Sequence, residues 1–247
     1  MKRIKSLLLG LIAGLFSSAL GIGGGVCLVP GLMFLMGYKI KRAIGTSLIA
    51  IVPVAFVGII AHYFIQRGNV KLVIALFVII GSVTGARFGA TLVNKIDSKK
   101  LTRLFALLLL FVGLRLAGII RMPFDPVSTG AIYPWLFVLG LASGFLSALF
   151  GIGGGIITVP GLYFFFGLTM LQSVSTSLVV VLFTTFAGAM FHRKFNNVDI
   201  GLIKFLVPAA LVGAVIGAIV ANLLPTHALK IILGIIVLLC SVRFWKR

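Results

Sequence analysis

Apolar residues along this chain run in blocks and do not alternate with polar ones. The blocks cover residues 7–20, 26–37, 43–64, 72–94 and 101–120, then 131–150, 156–167, 173–192, 201–222 and 228–244. Most are rich in Leu, Ile, Val and Phe, and the longer ones match the roughly 17–25 residues that carry a helix across about 30 Å of hydrocarbon. A membrane β-barrel would instead show alternation in segments of about ten residues. The pattern therefore predicts an all-α fold, a polytopic membrane helical bundle of ten helical segments. Two of each five are short and read as broken or re-entrant helices at the start of each half, forming either a hairpin or two full crossings.

The second half copies the first. Residues 14–34 read GLFSSALGIGGGVCLVPGLMF and residues 144–164 read GFLSALFGIGGGIITVPGLYF, identical at 12 of 21 positions with an offset of 130. Thr46-Ser47-Leu48 matches Thr176-Ser177-Leu178, Gly58 matches Gly188, and His62 matches His192. Beyond a two-residue shift, Gly85, Gly89 and Asn94 match Gly213, Gly217 and Asn222. The first repeat is placed at 1–122 and the second at 131–247, with the polar, proline-bearing stretch 123–130 as linker. Block 7–20, preceded by Lys2, Arg3 and Lys5, has the outline of a signal peptide. Its mid-chain copy makes it part of the fold.

Composition adds weight to the membrane reading and charge orients it. The chain is 61% hydrophobic and 10% charged, and its 22 Lys and Arg against 3 Asp and Glu give +19. The basic residues sit mainly in short loops, which suits an anionic inner leaflet and leaves no soluble basic domain to hold nucleic acid. If the two short segments of each half enter and return on one side, each half crosses an odd number of times and the halves are inverted. One side then receives Lys2, Arg3, Lys5, Lys39, Lys41, Arg42, Lys95, Lys99, Lys100, Arg103, Arg193, Lys194, Arg243, Lys246 and Arg247. The other receives Arg67, Lys71, Arg121 and Lys230. The positive-inside rule favours this arrangement, with both termini cytoplasmic in a multi-pass protein of the plasma membrane, the inner membrane of a prokaryote. Inverted repeats with broken helices are a common architecture of secondary transporters.

The candidate chemistry gathers at the doubled glycine clusters. Helix-weakening glycines survive in lipid where protein or a water-filled cavity surrounds them. Helices starting at Gly25/Val26 and Gly155/Ile156 would present free N–H groups and positive dipole ends, a setting for an anion. Glycine also serves close helix packing, but the doubled GIGGG-x4-PG favours a site at Gly23, Gly24, Gly25 and Val26 and at Gly153, Gly154, Gly155 and Ile156. Pro30 and Pro160 are expected to help set the break. Thr46, Ser47, Thr176 and Ser177 would either donate to the anion or cap the next helices. His62 and His192 are candidates for proton coupling, or packed interfacial residues. Arg87 lies inside an apolar block and reads equally as a counter-charge to the anion or as a snorkelling side chain.

Several functions lack residues to run on. Asp97, Asp125 and Asp199 are the acids of the chain, and all lie in or near loops. Carboxylate proton relays and cation sites are disfavoured. No Ser–His–Asp set, HExxH, GxxxxGKS or CxxC appears, so no enzyme is expected. Cys27 and Cys240 have no ligand cluster around them and read as buried thiols. No metal and no cofactor are expected.

With its doubled GIGGG-x4-PG followed by Thr-Ser pairs, the sequence resembles the TauE/SafE family of membrane transporters, also described as sulfite exporters or anion permeases. The resemblance covers nearly the whole chain. It implies export of a small sulfur-containing anion such as sulfite or an organosulfonate, by alternating access between the halves. Alternatives are an anion channel built on the same site and an uptake permease for another small anion. The partners expected are the small anionic substrate and the lipid bilayer, with a homo-oligomer open.

Overall fold

In the computed structural model, residues 2–65, 70–116, 132–223 and 226–245 are described. Among them the chain forms ten α-helices: α1 Lys2–Leu20, α2 Gly25–Met36, α3 Ile40–Ile65, α4 Leu72–Lys95, α5 Ser98–Leu116, α6 Ile132–Phe150, α7 Gly155–Phe165, α8 Met170–Lys194, α9 Ile200–Leu223 and α10 Thr226–Trp245. Each apolar block becomes one helix. Six helices are long and apolar enough to cross a membrane (α1, α3, α4, α6, α8 and α9), and α2 and α7 are shorter apolar helices. With 12 and 11 residues they reach roughly 17–18 Å at 1.5 Å per residue, about half a bilayer core. The linker expected at 123–130 lies outside the described residues.

The exterior is apolar. Phe56, Phe64, Leu72, Phe88, Trp135, Phe186 and Leu239 are all more than half exposed. The interior instead buries Ser17, Ser18, Thr46, Ser47, Ser82, Thr176, Ser177 and Thr184. A water-soluble fold would reverse this distribution. Surrounded by lipid, an apolar exterior costs nothing, and small and hydroxylated residues hold the helices together.

The helices pair across the repeat. α1 packs on α9, its counterpart α6 packs on α4, α3 packs on α8, and α5 packs on α10. Glycines set the first two contacts. A Cβ at Gly10, Gly14, Gly213 or Gly217 would run into the carbonyls of Leu206, Ala210, Leu11 and Leu15, respectively. The same glycine-on-carbonyl pattern repeats between α4 and α6, from Gly81, Gly85, Gly89, Gly140 and Gly144. Both pairs are parallel, because contact positions rise together along the two chains.

The remaining directions follow from point contacts. α3 runs against α8, since Gly58 faces Leu178 and Gly188 faces Leu48. α4 runs with α8: the Lys71 amide meets Thr176 and, farther along, Ser82 meets Thr184. The start of α3 lies beside the start of α9, through Thr46 and Asp199, and its end lies beside the end of α1, through His62 and Ser18. Thus α1, α3 and α9 run one way and α4, α6 and α8 the other.

Candidate functional site

The glycine clusters form two sharp reversals, residues 21–24 between α1 and α2 and residues 151–154 between α6 and α7. Gly21, Gly23 and Gly24 have φ of 65, 87 and 67°, and Gly151, Gly153 and Gly154 have 73, 89 and 85°. That left-handed backbone is expensive for other residues. The fourth glycine of each cluster has a different reason. A Cβ at Gly25 would collide with the Gly151 carbonyl oxygen, and one at Gly155 with that of Gly21. The two reversals touch, since a Cβ at Gly23 would stand 3.1 Å from the Gly153 Cα and one at Gly153 would stand 3.1 Å from the Gly23 Cα. All of these residues are buried.

The short helices therefore start side by side in the interior. Neither N-cap, Gly24 or Gly154, offers a side-chain hydrogen bond. The Cys27 and Leu28 amides fold back onto the Gly24 carbonyl, and the Ile157 and Thr158 amides onto that of Gly154. Helix geometry leaves the earlier amides, at Gly25–Val26 and Gly155–Ile156, without an intrahelical acceptor. The prolines do not set these breaks: Pro30 and Pro160 lie inside α2 and α7, well past the turn. The left-handed glycines make the break, and each proline removes one N–H from the short helix that follows.

The Thr-Ser pairs clamp the two halves. The Ser47 hydroxyl proton is shared between the Ile44 carbonyl of its own helix at 2.8 Å and the Gly151 carbonyl at 2.9 Å, and the Ser177 hydroxyl donates to the Gly21 carbonyl at 3.0 Å. Thr46 Oγ1 accepts the Asp199 amide at 3.0 Å and Thr176 Oγ1 accepts the Lys71 amide at 3.1 Å. These pairs lie inside α3 and α8, which start at Ile40 and Met170, so they cap neither helix. α8 is capped by Thr169 with Gln172 in a capping box. The histidines are reciprocal as well: Nε2 of His62 lies 2.8 Å from the Ser18 carbonyl and Nε2 of His192 lies 2.8 Å from the Ala148 carbonyl. A carbonyl can only accept, so Nε2 carries the proton in both rings.

The structure adds two residues that sequence reasoning missed. Ser17 on α1 and Ser147 on α6 are fully buried, and neither hydroxyl has a partner. Their Cβ atoms stand 3.1 and 3.5 Å from where a Cβ on Gly24 and Gly154 would lie, against the starts of α2 and α7. A buried hydroxyl without a partner carries a desolvation cost of about 1–3 kcal/mol. The signal was present in the sequence, because Ser17 and Ser147 are identical positions of the repeat. Arg87 is not brought to this centre. It is exposed on α4 beside Phe88, on the face turned away from the α6 contact made by Gly85 and Gly89.

Among the described residues, no group of three or more His, Cys, Asp or Glu could hold a metal ion. What the centre offers is hydrogen-bond donors: main-chain amides at two helix starts and two unpartnered hydroxyls. This is chemistry for an anion.

Comparison with known proteins gives a consistent result. The family model described as "Sulfite exporter TauE/SafE" matches residues 1–116 and 136–247. The chain is 30% identical over 263 residues to the "probable membrane transporter protein" YunE of Bacillus subtilis strain 168, covering 97% of this chain and 96% of the relative. It is 30% identical to a second such protein of that organism, YdhB, over 90% of each chain. It is 32% identical to MJ0441 of Methanocaldococcus jannaschii, over 85% of this chain and 80% of the relative. No solved structure matches.

Proposed function

The chain belongs to the TauE/SafE sulfite exporter family, and within it we propose that it exports a small sulfur-containing anion, such as sulfite or an organosulfonate, by alternating access. Its standing as a multi-pass membrane transporter and not an enzyme comes from that membership. The anion, the direction and the mechanism are the proposal.

One observation carries it: two uncapped helix starts meet in the interior, each with an unpartnered buried hydroxyl, Ser17 or Ser147, against it. In the described arrangement the reversals touch, so the anion gains the Gly23–Val26 and Gly153–Ile156 amides as the halves part. Ser47 and Ser177 assist by orienting the carbonyls of Gly151 and Gly21 away from the anion. Thr46 and Thr176 fix the flanking corners, and Arg87 acts at the lipid interface.

The opposed directions of counterpart helices support the inverted reading. α1, α3 and α9 run against α6, α8 and α4, their respective mates in the repeat. Where α1 and α3 start and α4 and α8 end, the chain carries Arg3, Lys5, Lys39, Lys41, Arg42, Lys95, Arg193 and Lys194. This charge supports a cytoplasmic side there, and with it cytoplasmic termini. An inside-negative potential then drives an anion outward by about 2.3 kcal/mol per charge per 100 mV. Export accordingly needs no coupling ion. Proton coupling through His62 or His192 has less behind it, since each Nε2 proton is held on a carbonyl.

Radiolabelled sulfite, sulfoacetate, sulfate and chloride in proteoliposomes under an imposed potential test the reading. Sulfur oxyanions should move and chloride should not. Ser17→Ala with Ser147→Ala should lower that transport about tenfold or more, the worth of a hydrogen bond to a charged group, and leave the fold intact. Currents far above transporter turnover would establish a channel instead. Unchanged transport in the double variant would remove the site.

A further inference from the structure

A cavity of about 570 Å³ lies at the cationic end, between the α2–α3 corner of the first repeat and the α8–α9 corner of the second. Lys39, Lys41, Arg42, Tyr38, Ser98 and Asp199 line it. Three cations face one carboxylate there, a net of +2. Lys41 is held by the Asn94 carbonyl at 3.3 Å, and the Arg42 guanidinium lies 5.8 Å from the centre of the Tyr38 ring.

Asp199 is tied from both sides. Its Oδ1 accepts the Leu202 amide at 3.2 Å and caps α9, and its own amide donates to Thr46 at 3.0 Å. Its Oδ2 accepts the Tyr38 hydroxyl at 2.8 Å and pairs with Arg42 at 3.3 Å. Oδ2 therefore clasps one repeat to the other, while Oδ1 and the amide hold the residue within its own corner and on α3. Arg42 remains 53% exposed on its side chain, accessible to a competing anion. The repeat does not preserve the arrangement: the counterparts of Tyr38, Arg42 and Asp199 are Leu168, Gln172 and Lys71. The clasp belongs to one mouth only.

We propose that this cavity is a second anion site, a vestibule for a compact, doubly charged oxyanion, in which the Asp199 carboxylate is a tethered occupant that the incoming anion displaces from Arg42, opening the clasp between the halves. The inference rests on the transport reading for its purpose, and its binding step is measured separately. A net of +2 suits a dianion better than a monoanion, and a guanidinium with two lysines suits a tetrahedral or pyramidal oxyanion. An anionic lipid headgroup shares this chemistry, so the experiment separates the sources.

Ser98→Cys is introduced with Cys27→Ala and Cys240→Ser, and thiol labelling is followed in detergent with sulfate, or with chloride at equal ionic strength. Sulfate should slow labelling several-fold and chloride should not. Asp199→Asn keeps the α9 cap, since asparagine caps as well, and should give the same protection at about a tenfold lower sulfate concentration. Arg42→Gln should abolish protection. Labelling unmoved by sulfate, protection unchanged in Asp199→Asn, or protection by phosphatidylglycerol alone would overturn the proposal. Transport in proteoliposomes without protection sinks the vestibule and leaves the central site standing. Protection without transport upholds the vestibule and sinks the transport reading.

Discussion

The buried middle of the molecule and its cationic mouth treat the repeat differently. In the middle several contacts are made twice, once from each half: Gly25 on Gly151 with Gly155 on Gly21, Ser47 with Ser177, His62 with His192, Ser17 with Ser147. At the mouth the match fails, and Tyr38, Arg42 and Asp199 stand where the other half has Leu168, Gln172 and Lys71. Under the proposed alternating access, two halves that exchange roles must hold their shared centre equally in both forms, which favours a symmetric middle. In the proposed orientation the two mouths face different compartments, and nothing requires them to agree. On that proposal, symmetry marks what the two states share, and its loss marks where they are biased.

Substitutions can break that comparison. The largest effect is expected at Gly25→Ala and Gly155→Ala, where the added Cβ meets a backbone carbonyl of the opposite repeat. Backbone cannot step aside as a side chain can, so each should destabilise by about 3 kcal/mol or fail to fold. Thermal unfolding in detergent should show near-equal losses for the two variants. A large inequality would mean that the middle is less symmetric in energy than in geometry.

Ser47→Ala and Ser177→Ala come next. Each removes a hydrogen bond across the halves, worth about 1 kcal/mol. Their shared centre predicts that the double variant departs from additivity. Additive melting losses would show that the two clamps act independently.

The mouth carries a carboxylate whose loss of charge in acid should be felt by the fold. Burial works against the charge of Asp199, but the Tyr38 hydroxyl, the Leu202 amide and Arg42 outweigh it and hold its carboxyl below the ordinary range. A depressed carboxyl stabilises the fold above its unfolded value, about 3.9, and that contribution is lost as pH falls through the lower folded value. Stability from this clasp should therefore be flat from pH 5 to 8 and fall below about pH 4. Tyr38→Phe should move the fall upward, toward pH 4, by removing one of the groups that depress it. An acid limb identical in Tyr38→Phe and the parent would show that the clasp contributes nothing to stability.

The smallest effect is expected at Arg87→Gln. Its side chain is exposed on the face of α4 turned away from α6, so anion transport should stay within about twofold of the parent, the scale of surface substitutions. A tenfold loss would bring Arg87 back as a counter-charge.

Much of this was legible in the chain. Block lengths located each helix to within a few residues, though α1 begins at Lys2 and α5 at Ser98, because basic residues extend a helix past its apolar block into the interface. The glycine clusters were found, and the requirement for positive φ there is written in the residue type. What could not be read was partnership. Nothing in Gly10 or Gly14 says that the surface they fit belongs to α9. Ser47 and Ser177 looked able to donate to an anion, yet their hydroxyl protons are held by carbonyls of the opposite repeat. Ser17 and Ser147 lie within apolar runs, and whether a hydroxyl there has a partner is decided by the fold.

The pairing of α1 with α9 and of α4 with α6 has a consequence for biogenesis. α1 leaves the ribosome long before α9, and its glycine face lacks that partner until eight further helices have been made. In the interval that face must rest against lipid, the translocon or a chaperone, and α4 must likewise wait for α6. Contacts so distant in sequence form late and slowly. A nascent chain stalled after the first five helices would be inserted, helical and unable to reach its mature packing.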